Sequence, residues 1–244
     1  MRITFYTVIV GNYDNLRKPT LVDPACPYVC FTDRHRGPVV PWQIHPFPSP
    51  SGMDYRRSAR VPRCMPHLFL DTDISVYMDG AFQPQCNSTH IIQALGNADI
   101  ALFEHPNHHK SLDDEMQFYW KVHGFIPDHV SEAVAKYKAQ GVPELNEFWA
   151  GGIIIRRHNS RTAAFNELWY TEYMHGSYND QFSLYASLAK SPQLVVNTLR
   201  GHILEDPRFG YRLHANSGCG DNVAYEAENA AWNATFERIK RLAE

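Results

Sequence analysis

The segment at 71–80 reads DTDISVYMDG, and its carboxylates could ligate a hard cation. Asp71 and Asp73 have the Asp-x-Asp spacing of a metal-binding pair. Asp79 follows six residues after Asp73 and precedes Gly80. Oxygen ligands of this kind suit Mg2+ or Mn2+, and such a cation neutralises charge on phosphate oxygens. Ligand sites in open α/β sheets lie beyond the carboxyl ends of the strands. The apolar run 74–78 reads as a strand, which puts Asp79 at its far end, where Gly80 lets backbone approach a ligand closely. Asp71 and Asp73 then fall in the turn before the strand, where aspartate is common for its own reasons.

Other residues with chemical potential are spread along the chain. Arg57, Arg60 and Arg63 recur every three residues in a helical segment, so they drift across one side of it. Guanidinium forks suit phosphate or carboxylate, and a solvated helix face is the plainer alternative. His105, His108 and His109 do not read as a zinc site, since two adjacent histidines rarely share one ion. Cys26-x3-Cys30 lacks a second cysteine pair. The five cysteines are odd in number and irregular in spacing, which points to free thiols in a reducing, cytoplasmic compartment.

Strands are expected at 2–10, 28–32, 74–78, 99–103, 148–156 and 194–197. Helices are expected at 54–68, 90–95, 113–123, 131–140, 162–175 and 179–188, and an amphipathic helix at 222–244 is expected to pack back on the domain. The stretch 38–50 is rich in proline, with a short apolar run at 42–44. Alternation of strands and helices means an α/β fold with a mainly parallel sheet.

With 244 residues, 44% apolar and 20% charged, the chain suits a single domain over 1–244 with a sizeable core. The net charge of −3 supplies no global field for nucleic acid or an anionic membrane. No segment has the length and apolarity of a membrane span.

Several segments, in order, resemble a glycosyltransferase-like domain family found in plant proteins linked to cell-wall polysaccharides and in bacteria. Tyr6-Thr-Val-Ile-Val-Gly-Asn-Tyr-Asp14 is similar to its opening, and Cys30-Phe-Thr-Asp33 to its second strand. Arg57-x-x-Arg60-x-x-Arg63-x-x-Pro66-His67 resembles its Arg-x-x-Arg-x-x-Lys-x-x-Pro-His. Tyr77-Met-Asp79-Gly80, His105-Pro106 with Glu115, Gly152 to Asn159, Trp169 and Asp180-Gln181-x-Ser183 follow. The chain departs from the pattern at Arg63 (for Lys), Ala81 (for Asn), His108 (for Arg) and Asn179 (for Arg). Phe148 to Ile154 with Asp180-Gln181 also looks like part of glycogenin-type transferases, and the family is similar to base J glucosyltransferases.

The resemblance implies a GT-A fold and a metal-dependent transferase that takes a nucleotide-diphosphate sugar, a UDP-sugar, as donor. The acceptor is a hydroxyl on a saccharide or other glycan. A hydroxymethylated DNA base is the alternative acceptor, and a non-catalytic nucleotide- or sugar-binding module is the alternative of another class. Thr7, Val8, Gly11, Asn12 and Tyr13 would hold base and ribose, with Asp33 accepting hydrogen bonds from them. Arg57, Arg60 and Arg63 would meet phosphate, and Gly151 and Gly152 would let the sugar approach. Asp79 with His214, or else His202, would ligate the metal, a histidine tilting the choice towards Mn2+. Asp180 and Gln181 are the catalytic candidates. Asp180 would act as a general base in an inverting reaction, or as a positioning group beside the sugar in a retaining one. Glu104, His105 and Glu115 could line the acceptor or sugar site.

Overall fold

The computed structural model describes residues 1–11, 13–34, 37–47 and 53–212. Asn12, His214 and the expected helix at 222–244 lie outside the described residues. Nine strands occur there: β1 Ile3–Ile9, β2 Tyr28–Thr32, β3 Trp42–Pro46, β4 Ile74–Met78, β5 Phe82–Pro84, β6 Ile100–Glu104, β7 Trp149–Arg157, β8 Val196–Leu199 and β9 Phe209–Tyr211. The helices are α1 Tyr55–Cys64, α2 Ser88–Leu95, α3 Leu112–His123, α4 Asp128–Ala139, α5 Ser160–Met174 and α6 Asp180–Ala189. A 3-10 turn at Pro66–Leu68 follows α1, where proline cannot continue the helix.

Seven strands form one sheet in the order β3-β2-β1-β4-β7-β6-β8. All neighbours pair in parallel except around β7, which runs antiparallel to both β4 and β6. The arrangement is compatible with a GT-A-like fold. β1 (ITFYTVI) and β4 (ISVYM) are buried at every position because both faces are covered, as their near-continuous apolar runs require. Their alternate side chains feed two cores. Tyr6, Val8 and Tyr77 face the layer of α1, α4, α5 and α6, while Phe5, Ile9, Val76 and Met78 face α2 and the small β5-β9 sheet.

Local chemistry sets the helix starts. Asp54 accepts the Arg57 N–H to cap α1, Ser111 forms a capping box on α3, and Asn179 caps α6 by accepting the Gln181 N–H. Gly124, in the left-handed region, ends α3. Cys26, Cys30, Cys64 and Cys86 are buried free thiols. Among the described residues, no helix is long and apolar enough to cross a membrane.

Candidate active-site cleft

A cleft of about 550 Å³ opens at the carboxyl ends of β1 and β4. This is the edge at which parallel α/β sheets place ligands. The sheet side of the cleft is formed by Val8 to Gly11, Tyr13, Asp14, Asp79 and Gly80. The facing wall is helical. Tyr55, Arg56 and Arg60 come from α1, Tyr119 from α3, His129 from α4, and Tyr178 to Gln181 from the entry into α6.

Asp79 ends β4 as its sequence position implies. Its N–H donates to the Gly152 carbonyl at 2.8 Å, which fixes the strand end against β7. Tyr77 Oη donates to Asp79 Oδ1. Burial, and then the neighbouring Asp79 charge, raise the Tyr77 phenol well above its usual value, so it stays a donor. Asp71 and Asp73 lie before β4 and pair with the N-terminal strand: Arg2 Nη1 is 2.8 Å from Asp71, and the Arg2 N–H is 2.6 Å from Asp73. They form a turn on the opposite end of the strand from the cleft.

Asp14 is a residue that sequence reasoning did not assign a role. Its carboxyl is buried beside Gly80, and a Cβ built on Gly80 would lie 2.7 Å from Asp14 Oδ2. Thus the room created by Gly80 is taken up by the Asp14 side chain. Arg17 holds this loop down, with Nε donating to the Gly80 carbonyl at 2.9 Å and Nη2 lying 3.7 Å from Asp14. The only sequence signal was its place at the end of the Tyr6–Asp14 motif, since its partner Gly80 lies 66 residues away.

The three arginines of α1 divide their roles. Arg57 Nε lies 3.9 Å from Asp54 in an ion pair, and its guanidinium lies over the Tyr178 ring, 5.0 Å from the centroid. Arg60 borders the cleft, with Nη2 3.2 Å from Asp180 Oδ1. Arg63 is buried beneath it. Its Nη1 lies 2.7 Å from Asp180 Oδ2 in an ion-pair contact, and 4.0 Å from Asp79 Oδ1. Its Nη2 donates to the Gly151 carbonyl at 2.7 Å, and the Tyr77 and Trp169 rings flank the guanidinium. Burial disfavours a charged Arg63, yet Asp180, Tyr77 and Asp79 outweigh it and raise its pKa. Burial likewise pushes the Asp180 carboxyl up, but Arg60 and Arg63 hold it below its usual value.

The glycines of β7 serve the same packing. A Cβ on Gly151 would meet Arg63 Nη2 at 2.6 Å, and one on Gly152 would meet the Phe82 ring at 2.9 Å. Neither lines the cleft. Asp33 is buried, and both its carboxylate oxygens lie 3.1 Å from the Gly11 N–H, steadying a backbone at φ 68°. Thr7 is buried, and its hydroxyl has no hydrogen-bond partner among the described residues. Val8, Gly11, Tyr13 and Gln181 do border the cleft, while His202 is exposed after β8 and does not.

Behind the Tyr119 wall lies a second cluster. His105, His109 and Glu115 bring one potential ligand atom each within 4.8 Å of one another. His109 Nδ1 is 2.8 Å and His105 Nε2 3.4 Å from Glu115 Oε2. The imidazoles stack at 4.1 Å with planes 18° apart. Lone pairs in two stacked, nearly parallel planes do not converge on one ion, so these side chains fit a hydrogen-bonded triad better than a metal centre. Burial, then His109 and His108, push His105 down to about 4, while burial raises Glu115.

A family model described as the TOD1/MUCI70 glycosyltransferase-like domain matches residues 32–199, more than half of the chain. The chain belongs to this family. The matched span holds Asp33, the three α1 arginines, Asp79, Gly80 and the Asp180-Gln181 pair, whereas Thr7 to Asp14 precede it. A TOD1/MUCI70-type domain is glycosyltransferase-like by description, which suggests transferase activity with a sugar donor and an acceptor. No curated protein matches the sequence.

Proposed function

We propose that this TOD1/MUCI70-type domain has a GT-A fold and is a metal-dependent glycosyltransferase. It moves a sugar from a UDP-sugar to a hydroxyl of a saccharide or other glycan. The observation that carries the reading is the juxtaposition, across one cleft, of Asp79 and Asp14 with Arg60 and Asp180. Carboxylates are the ligand type that a hard divalent cation prefers. Asp79 Oδ1 is steadied by Tyr77, and Asp14 is brought to its neighbour Gly80. Mn2+ or Mg2+ bound there would neutralise charge on the departing diphosphate.

In the reaction the acceptor oxygen bonds to the anomeric carbon as the bond from that carbon to the β-phosphate oxygen breaks. The bond's electron pair leaves with UDP, and the acceptor proton passes to the departing phosphate oxygen. Arg60, at the cleft surface, can turn from Asp180 to a phosphate oxygen, and the exposed Arg56 stands on the same wall. Asp180, held ionised below its usual pKa, is a poor proton acceptor at neutral pH. Its paired geometry supports the positioning role, a fixed negative charge beside the sugar as positive charge grows on the anomeric carbon. Gln181 and the backbone of Val8 to Gly11 offer hydrogen-bonding groups for sugar and nucleoside.

The test is donor hydrolysis without acceptor, over a panel of UDP- and GDP-sugars with Mn2+, together with thermal shift by UDP. Mn2+-dependent hydrolysis of a UDP-sugar and a rise in Tm with UDP are expected, both lost in Asp79→Ala. Absence of both in the wild-type chain would overturn the reading.

A further inference from the structure

The helical wall of the cleft is chemically unlike the sheet side. The sheet side offers carboxylates and backbone, suited to a cation and a diphosphate. Beside Arg56, Arg60 and Asp180, the helical wall offers a group of ring side chains, Tyr55, Tyr119, His129 and Tyr178, with the Asn179 amide among them. Among the described residues, five aromatic side chains are prominently exposed: Tyr13, Tyr55, Trp120, Phe125 and Tyr178. Three of them, Tyr13, Tyr55 and Tyr178, border this one cleft. Aromatic area left in water forgoes burial energy, and its concentration at one concave site points to a ligand that covers it.

The wall is also held in place. Arg57 covers one side of the Tyr178 ring at 5.0 Å, and His129 meets it edge-on at 5.8 Å. Tyr178 nevertheless remains 38% exposed. Asn179 Nδ2 donates to Tyr119 Oη at 3.0 Å, and Asn179 Oδ1 caps α6, so the amide cannot swing away. Tyr55 packs against Gly11, yet 55% of its surface is open. Rigid tyrosines lose little side-chain entropy on binding.

We infer that this wall is a saccharide subsite, with Tyr178 as its stacking platform and Tyr55 at its rim. A pyranose presents an apolar C–H face and a rim of hydroxyls. The face matches an aromatic ring, and the rim matches the neighbouring phenols and amide. The inference rests on the transferase reading only in naming this saccharide as the acceptor. The subsite itself is defined by binding.

The experiment measures saturation-transfer NMR and binding isotherms on the full chain. The probes are methyl β-glucopyranoside, methyl β-galactopyranoside, maltose and lactose, with glycerol as the hydroxyl control and UDP as the nucleotide control. At least one pyranoside should receive saturation at its ring protons while glycerol does not. Tyr178→Ala should weaken that binding roughly three- to tenfold, the scale of one aromatic contact. Tyr178→Phe should retain most of it, and UDP binding should change less than about twofold in either variant. Circular dichroism of each variant separates loss of the platform from loss of fold. Saccharide binding without UDP binding would leave this subsite standing and sink the proposed donor. The inference is overturned if no probe binds the wild-type chain. It is equally overturned if folded Tyr178→Ala binds as the wild type does, or if it loses UDP as strongly as saccharide, which would assign the ring to the nucleobase.

Discussion

Arg63 Nη1 lies 2.7 Å from Asp180 Oδ2, while its Nη2 donates to the Gly151 carbonyl at the same distance. One buried cation therefore ties α1, α6 and β7 together directly under the cleft. Both partners are almost wholly excluded from water, with side-chain exposures of 3% and 9%.

Removing one member of such a pair leaves the other charge buried. Arg63→Met should destabilise the fold by about 3–5 kcal/mol, read from urea denaturation. Arg60 still reaches Asp180, so the loss belongs at the lower end of that range. Adding Asp180→Asn to Arg63→Met should recover about 1 kcal/mol or more, because the orphaned charge is gone. Strict additivity of the two losses would show that Arg63 and Asp180 are not coupled.

Gly151→Ala and Gly80→Ala should fail for different reasons. The Gly151 Cβ would drive Arg63 from its site, costing about 1–3 kcal/mol as overpacking does. The Gly80 Cβ would push against the Asp14 carboxyl in the cleft wall. Gly80→Ala should thus lower Mn2+-dependent donor hydrolysis at least as far as Asp14→Asn does, and Tm less than Gly151→Ala does. Equal losses of Tm in the two glycine variants would mean that Gly80 is a packing residue only.

The frame of this site was legible in the sequence, since β4 and the position of Asp79 at its end follow from one apolar run and the Gly after it. The fate of the arginines was only half legible. Steps of three residues rotate about 300° around a helix, so successive arginines shift by about 60°. Their side-chain exposures fall accordingly, from 35% at Arg57 to 22% at Arg60 and 3% at Arg63. Spacing gave that drift, but which end of it points inward depends on β7 and α6, far along the chain. The Asp14–Gly80 contact and the β5-β9 pair were not legible. Three-residue strands have no measurable period, and Pro84 argues against a strand unless it is an edge.

Stability should fall on the acid side of neutrality. Burial, then the neighbouring His109 and His108, push His105 down to about 4, and burial, then Arg156, push His158 down to about 4. An unfolded histidine titrates near 6.5, so between there and about 4 the unfolded chain binds more protons than the folded one. This contribution is complete above about pH 6.5 and is lost, to the order of a few kcal/mol, as pH drops to about 4. Glu115 has the opposite sign, since its raised pKa lets the folded form take up a proton first, which offsets part of the loss just above its unfolded value. Asp180 adds its own loss only below its unfolded value. Tm measured from pH 7.5 to 4.5 should fall steadily, and less steeply in His158→Asn. A flat profile in the wild-type chain would contradict the burial of both imidazoles.

Arg156 makes a final prediction, since it is a buried cation whose hydrogen bonds go to neutral groups. It is 1% exposed, and Nη1 donates to the carbonyls of Arg63 at 2.7 Å and Cys64 at 3.5 Å. These carbonyls end α1, where the helix leaves its last acceptors unpaired and carries partial negative charge. The Trp169 ring lies 5.3 Å from the guanidinium carbon, and burial, helped by the neighbouring Arg63 charge, pulls the Arg156 pKa down. Arg156→Met keeps the volume and removes a costly buried charge, but it leaves the Cys64 carbonyl without that donor. The two effects oppose each other, and the net loss should be about 1–3 kcal/mol, the cost of an unsatisfied buried acceptor. Because Arg63 sits at the released helix end, UDP affinity should fall with stability, and amide exchange should quicken at the end of α1 before it does in α5. If exchange at that helix end is unchanged in Arg156→Met, then Arg156 does not hold Arg63 in place, and the two arginines act separately.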